Sequence, residues 1–196
     1  MAEMNTREVQ IPSHEEVVNE RKRLKYKKEY RRILLNTIYA LVVVAALAAL
    51  IATMVMPVLQ VSGTSMEPTL EDDDLIILRK TSKFKTGDLC GFYWQNKLLL
   101  KRVIGGPGDM ISIDNDGNVT VNGKLLKEPY VDKKALGECD LTFPYQVPEG
   151  RYFVMGDHRG VSIDSRSSVI GCVEKEQIIG KVLFRIWPFA KIGFIR

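Results

Sequence analysis

The chain has 196 residues, of which 45% are hydrophobic and 27% charged, a composition typical of one compact domain with additional segments. Residues 1–32 carry nine Lys/Arg and six Asp/Glu, so most of the basic excess lies near the N-terminus, and no basic patch farther along indicates a nucleic-acid partner. The three cysteines form no CxxC pair, and the only histidines are His14 and His158. A zinc site of standard ligand spacing is therefore excluded. We expect no metal and no cofactor.

A dense basic block precedes a long uncharged segment. Residues 21–32 include eight basic residues and one acidic residue, whereas residues 33–56 include no charged residue. As an α-helix this segment would extend about 36 Å, enough to cross a hydrocarbon core of about 30 Å. Pro57 is expected to end the helix. Residues 1–20 are polar without a strong period, which predicts disorder or a short, frayed helix.

The uncharged segment has three interpretations: a permanent anchor, a cleavable secretory signal, or a buried helix of a soluble domain. A cleavable signal has a shorter apolar run of about 7–15 residues, and a soluble helix does not explain apolarity on every face beside a basic block. We therefore predict a transmembrane helix at residues 33–56. Because Lys/Arg-rich flanks stay in the cytoplasm, residues 1–32 are predicted to be cytoplasmic, against anionic membrane lipids, and residues 57–196 extracytoplasmic.

The remainder of the chain is predicted to be one mainly β domain with antiparallel sheets. Short segments rich in β-branched and aromatic residues, separated by turn signals, predict strands at residues 75–80, 89–94, 97–105, 110–114, 118–123, 151–156 and 180–187. A small subdomain is expected around residues 106–150. The only soluble helix that we predict is short, at residues 174–180, where a glycine would end it.

Two polar residues in apolar surroundings could carry chemistry. Ser65 lies in a turn of small residues soon after the predicted span, although serines in such turns are usually plain turn residues. Lys101 follows three leucines, and strand alternation places it and Arg102 on opposite faces, so one of the two must face inward or line a cleft. A lysine in an apolar site has a lowered pKa, and its neutral amine can take a proton from a serine. An exposed lysine on a half-buried strand is the alternative.

A third polar segment is GDHRGVSIDSR, residues 156–166. Asp164 and Arg166 can form an ion pair, and Ser162 can hydrogen-bond an amine or a backbone group. Taken alone, the segment could equally be a structural loop held by an Asp–Arg pair. His158 leaves a histidine-based triad open as a rival for the proton transfer, because His14 precedes the predicted anchor.

Together, these segments resemble the type I signal peptidase family. The chain contains, in the family's order, the apolar anchor, SGTSMEPTL (62–70), LLLKRVIGGPGD (98–109), GDHRGVSIDSR (156–166) and GCVEKEQIIGKVLFRIWPF (171–189). The resemblance covers roughly residues 33–196. It implies a membrane-anchored serine endopeptidase with a Ser/Lys dyad, which cleaves N-terminal signal peptides from exported preproteins without a cofactor.

The resemblance also implies a role for each residue that matches a family motif. Ser65 matches the nucleophile and Lys101 the general base. Ser162 matches the serine that orients this lysine, and Asp164 and Arg166 match the ion pair that supports its loop. One oxyanion donor would be the backbone N–H of Ser65.

Further positions match the family's substrate pockets, and others vary within it. Val61, Leu70 and Leu100 match residues of the shallow apolar pockets that accept small side chains of the signal peptide. Gly63 lies where some members have a serine that supplies a second oxyanion donor. His158 lies where many members have asparagine. The fold implied is a catalytic domain of antiparallel β-sheets, with one anchor as in the smaller members.

Two rival interpretations belong to other classes of protein. Self-cleaving bacterial repressors share a Ser/Lys dyad on a related β fold, but they are soluble and carry a DNA-binding helix-turn-helix, which residues 33–56 contradict. The other rival is an anchored β domain that binds partners through a decayed site. The presence of Ser65, Lys101, Ser162 and Asp164 argues against it.

Overall fold

The computed structural model describes residues 13–195, apart from the side chain of Thr53, so residues 1–12 of the predicted frayed segment lie outside the described part. The described residues form two compact units that divide after Ile51. The first unit is helical, and the regular secondary structure of the second unit is mainly β-strand.

One continuous α-helix, α1 (His14–Val55), contains both the basic block and the predicted span. Ser13 and Glu16 form a capping box at its start, because the Ser13 N–H donates to the Glu16 carboxylate at 2.8 Å and the Glu16 N–H donates to Ser13 Oγ at 3.3 Å. The helix ends before Pro57, as predicted. The cap and the many Lys, Arg and Glu residues, which are good helix formers, explain why residues 14–20 are helical rather than disordered.

Helix α1 is long and apolar enough to cross a membrane by length and composition. Side chains along residues 33–52 are exposed, including Leu47 and Leu50. A soluble core helix would bury such side chains, so their exposure fits a segment whose natural surroundings are lipid.

The second unit contains twelve strands within the described residues. Their bounds are β1 Val58–Gln60, β2 Leu75–Arg79, β3 Leu89–Trp94, β4 Lys97–Gly105, β5 Met110–Ile113, β6 Val119–Val121, β7 Lys124–Leu125, β8 Tyr145–Gln146, β9 Arg151–Met155, β10 Val173–Glu174, β11 Ile178–Trp187 and β12 Gly193–Phe194. Every strand pair is antiparallel. The mainly β, antiparallel fold predicted from the sequence is therefore confirmed, and each of the seven predicted segments contains a strand.

The strands form two sheets that share a hydrophobic core. The larger sheet has the order β1-β2-β11-β3-β4-β9-β10, with β12 beside β11, and the smaller has the order β7-β6-β5-β8. Ile111 and Val119 of the smaller sheet pack in one cluster with Phe153 and Met155 of β9. Residues 106–150 thus contain a second sheet, but they belong to the same compact unit as the larger sheet.

The prediction of a helix at residues 174–180 is wrong. Only Lys175–Gln177 form a single 3₁₀ turn, and β11 begins directly afterwards at Ile178. The Glu174 N–H donates to the Gln177 side chain at 2.8 Å, which closes the turn. Ile178 then pairs with Phe92 of β3, so strand pairing of β-branched residues prevails over local helix propensity.

Candidate active site

Ser65, the predicted nucleophile, lies in the loop between β1 and β2 (residues 61–74), which we call the nucleophile loop, and buried residues hold this loop on the core. Met66 and Leu70 are fully buried in a cluster with Ile76 and other core residues, so the loop cannot lift away without losing that packing. Leu70 N–H donates to the Met66 carbonyl at 2.9 Å, which closes a turn immediately after the serine. Ser65 itself is half-buried.

Lys101 on β4 reaches this serine directly. Its Nζ donates to Ser65 Oγ at 2.7 Å, and the lysine keeps only 4% of its surface exposed. Burial lowers the pKa of Lys101 below its ordinary value of 10.5, and the charge of Arg166 adds to the lowering. The Asp164 carboxylate acts in the opposite direction but more weakly than burial. The neutral amine, which can accept a proton, is therefore favoured more than in water.

The sequence predicts that one of the adjacent residues Lys101 and Arg102 faces inward or lines a cleft, and in the structure both are buried. Arg102 forms a two-point ion pair with Asp157, at 2.8 Å from Nε to Oδ1 and 2.7 Å from Nη2 to Oδ2. Arg102 Nη1 also donates to the Gly87 carbonyl at 2.7 Å, and the guanidinium lies 3.8 Å from the centre of the Tyr130 ring. This pair fixes β4 directly beside Lys101.

The loop after β9 brings the third predicted segment to the site. Arg166 donates to both carboxylate oxygens of Asp164 at 2.8 Å, and Asp164 accepts the Gly156 N–H at 2.9 Å. Arg166 Nη2 donates to the Ser162 carbonyl at 3.2 Å, so the ion pair also supports the backbone that carries Ser162. The Asp164–Arg166 pair is formed as the sequence predicts.

Ser162 lies beside the nucleophile loop, at a point where Gly156 leaves room for it. A Cβ added to Gly156 would lie 2.3 Å from Ser162 Oγ and 2.5 Å from the Ser65 carbonyl oxygen. Within residues 13–195, the buried Ser162 Oγ has no hydrogen-bond partner, so the expected bond to Lys101 is not formed in this structure. Ser162 therefore lies beside the nucleophile loop, but its hydroxyl is not paired.

His158 contacts the same loop without touching the hydroxyl of Ser65. Its backbone N–H donates to the Ser65 carbonyl at 3.1 Å, and its ring Nδ1 lies 3.3 Å from the Thr64 carbonyl oxygen. Among the described residues, the side-chain partner of Ser65 Oγ is Lys101 and not His158. A histidine-based triad is therefore not assembled in this structure.

A groove beside Ser65 and Lys101 runs between residues 59–66 and residues 98–101. Val61 and Leu100 line it, as predicted for the substrate pockets. Leu70, the third residue predicted for these pockets, is wholly buried in the core beneath the loop and is not among the residues that line the groove. Over residues 97–101, β4 is paired with β3 alone, because its pairing with β9 begins at Arg102 in the described chain. One backbone edge of this stretch is therefore free of strand partners.

Sequence reasoning missed two of the buried ion pairs around the site. Besides Arg102 and Asp157, Arg159 Nη2 donates to Glu128 Oε1 at 2.6 Å, with both side chains fully buried. Arg159 Nε also donates to the Gly156 carbonyl at 3.0 Å, which fixes the turn opposite the nucleophile loop. The available signal was the density of charge in residues 156–166, together with Arg102 directly before the apolar residues Val103 and Ile104.

Comparison with known proteins places the chain in a family. A sequence model described as "Signal peptidase, peptidase S26" matches residues 34–187, which include the groove and every charged pair described above. The chain belongs to this signal peptidase family. The family assignment and α1 together contradict the interpretation as a soluble self-cleaving repressor.

Several individual relatives match over most of the chain. A signal peptidase I of Bacillus amyloliquefaciens is 36% identical over 179 residues, which cover 86% of this chain and 96% of the relative. A signal peptidase IB of Staphylococcus aureus (strain MRSA252) is 33% identical over 185 residues, covering 84% and 95%. A crystal structure of a signal peptidase I from Enterococcus faecalis V583 is 30% identical and covers 50% of this chain and 96% of that chain, with a TM-score of 0.42.

Proposed function

We propose that this chain is a membrane-anchored serine endopeptidase that cleaves N-terminal signal peptides from exported preproteins, with Ser65 as nucleophile and Lys101 as general base. The observation that carries the proposal is the 2.7 Å contact between Lys101 Nζ and Ser65 Oγ, made by a lysine whose burial lowers its pKa. A buried amine that can lose its proton, held against a hydroxyl beside an open groove, suits acyl transfer.

The reaction proceeds in two halves. Neutral Lys101 takes the Ser65 proton as Ser65 Oγ attacks the scissile carbonyl, and the protonated lysine then gives that proton to the leaving amine. Water, activated by Lys101, attacks the acyl-serine and releases the signal peptide with a new carboxylate. The Ser65 N–H makes no hydrogen bond to any described residue, so it is available to stabilise the oxyanion, a contribution of about 3 kcal/mol.

The groove suits a substrate in extended conformation. The unpaired edge of β4 at residues 97–101 can bind the backbone of the signal peptide as an added strand. Side chains at positions −1 and −3 before the cut would then face Val61 and Leu100. Because these positions are lined by apolar side chains in a confined groove, small residues such as alanine are favoured there.

The remaining residues of the predicted site act by supporting the dyad. Asp164 and Arg166 hold the loop that carries Ser162, through the contacts to Gly156 and to the Ser162 carbonyl. Ser162 Oγ is buried and unpaired within the described chain, so it can hold the Lys101 amine during the reaction. We expect Ser162→Ala to lower kcat with little change in KM, and an unchanged kcat would remove Ser162 from the mechanism.

The domain order follows from the same proposal. Residues 1–32 are cytoplasmic with the basic block against anionic lipids, residues 33–56 span the membrane, and residues 57–196 form the extracytoplasmic peptidase domain. A protease added outside intact protoplasts should digest residues 57–196 and leave an epitope placed before residue 32 intact. Loss of that epitope without lysis would reverse the orientation.

Cleavage of a purified preprotein with alanine at −3 and −1 tests the activity. Wild type in detergent should cut after the −1 alanine, and Ser65→Ala should not. Ser82→Ala is the matched control, because Ser82 is exposed and lies outside the groove. Cleavage retained by Ser65→Ala would refute the nucleophile, and no cleavage by folded wild type would favour the interpretation as a partner-binding domain.

A further inference from the structure

His158 holds two successive carbonyl groups of the nucleophile loop. Its backbone N–H donates to the Ser65 carbonyl at 3.1 Å, and its ring Nδ1 lies 3.3 Å from the carbonyl oxygen of Thr64. A carbonyl oxygen can only accept a hydrogen bond, so the Nδ1 atom in this contact carries the proton. The two contacts reach the loop from a residue 94 positions farther along the chain.

The Thr64 carbonyl and the Ser65 N–H belong to the same peptide unit. A trans peptide is planar, and its C=O and N–H point in opposite directions, so a bond that fixes the carbonyl also fixes the direction of the N–H. The Thr64 carbonyl also accepts the Glu67 backbone N–H at 3.2 Å, and the His158 ring adds a second bond that restricts and polarises the peptide further, which makes the Ser65 N–H a stronger donor. Ser65 N–H is the group that no described residue occupies and that the proposed reaction uses for the oxyanion.

We infer that His158 is a positioning residue that orients the Thr64–Ser65 peptide through its Nδ1–H, and so aims and strengthens the oxyanion donor. The inference rests on the proposed function. It assigns the imidazole no part in proton transfer, because its contact is with a carbonyl and not with the serine hydroxyl.

One competing partner of the ring must be separated from this role. Glu67 Oε2 lies 3.8 Å from the same Nδ1, and the side chains of His158 and Glu67 are 43% and 38% exposed. An ion pair this exposed contributes little to stability. If the His158 ring acted through Glu67 rather than through Thr64, removing the Glu67 carboxylate would lower kcat as much as removing the ring does. Glu67→Gln tests this directly.

A set of three variants tests the inference in the full chain in detergent. Asparagine is the conservative replacement, because its amide nitrogen is bonded to Cγ as Nδ1 is and can donate to the same carbonyl. Leucine fills similar space without a donor, and the backbone N–H of residue 158 still reaches Ser65 in every variant. We expect His158→Leu to lower kcat about tenfold with KM within twofold and an unchanged melting temperature, and His158→Asn and Glu67→Gln to stay within about twofold of wild type.

The same variants have a readout that needs no substrate. The ¹⁵N chemical shift of the Ser65 amide responds to hydrogen bonding at the preceding carbonyl, so it should move in His158→Leu and stay near the wild-type value in His158→Asn. The inference would be overturned by an unmoved Ser65 shift in His158→Leu. It would also be overturned if either His158→Asn or Glu67→Gln lost as much kcat as His158→Leu. A wild type that fails to cleave while its Ser65 shift responds as expected would count against the proposed function alone.

Discussion

Lys101 Nζ donates to Ser65 Oγ at 2.7 Å from a side chain that is almost entirely buried. The two residues lie on different elements, a strand within the sheet and a loop packed on the core, so their contact depends on the fold of the whole domain. Burial lowers the pKa of Lys101 and so favours its neutral amine. Because the proposed reaction uses the neutral amine, activity should depend on pH.

We expect kcat/KM to rise with pH along an acid limb set by Lys101. In the proposed mechanism the neutral amine of Lys101 is the active form, and burial lowers the pKa of Lys101 below 10.5, so the limb should lie below that value. The measurement is kcat/KM for a preprotein over a range of pH in which the enzyme stays folded. A limb at or above 10.5 would contradict the assignment of a buried Lys101 as base.

Lys101→Met should abolish cleavage while leaving the fold intact. In wild type the pKa of Lys101 is lower in the folded than in the unfolded state, so the unfolded chain binds more protons between the lowered value and 10.5. Wild type therefore gains free energy of unfolding relative to Lys101→Met as pH rises through that window, and Lys101→Met is relatively most stable below it. Urea titrations of both proteins at several pH values measure the difference. A difference that does not change with pH would show that the lysine is not desolvated.

Gly156→Ala should reduce kcat/KM about 100-fold or more. The added methyl would lie 2.5 Å from the Ser65 carbonyl oxygen and 2.3 Å from Ser162 Oγ, so the nucleophile loop and the Ser162 loop must move apart. Gly160→Ala is the matched control in the same loop, because nothing lies within 4 Å of a Cβ there, and it should keep activity. Equal activities of the two variants would show that the close approach at Gly156 does not matter for catalysis.

Asp157→Ala should destabilise the domain by about 3–5 kcal/mol, because it leaves the Arg102 charge buried without its partner. Arg151→Ala removes one member of an exposed pair with Glu174 and should cost less than about 1 kcal/mol. Chemical denaturation of both variants measures the contrast. Similar losses in the two would mean that the Arg102 site admits water when its partner is removed.

The strand pattern could be predicted from the sequence where strands are long enough to show it. Strand β4 and its neighbour β3 contain nine and six residues, and their apolar runs between turn signals are visible without a structure. Strands such as β7 and β8 contain two residues each, too few for any period, so only their tertiary pairing defines them. The helix expected at residues 174–180 failed for the same reason, since pairing with β3 decided the conformation of Ile178.

The candidate site was predictable as a set of residues but not as a network. Strand alternation singled out Lys101 and Arg102, yet the partner of Arg102 is 55 residues away and the partner of Arg159 is 31 residues away. No local pattern indicates pairs at such separations. The resemblance named Leu70 for a substrate pocket, but no local pattern indicates that Met66 and Ile76 pack around it.

The 94-residue separation between His158 and Thr64 of the nucleophile loop has a consequence for the partly folded protein. Closing such long loops is slow compared with forming hairpins, so the sheet strands can pair before the loop after β9 meets Ser65. Until that last contact forms, Ser65 and Lys101 lack the loop that carries His158 and Ser162. A chain whose strands have paired but whose loop after β9 has not docked would therefore spare the unfolded polypeptides around it, and full proteolytic competence would coincide with completion of the fold.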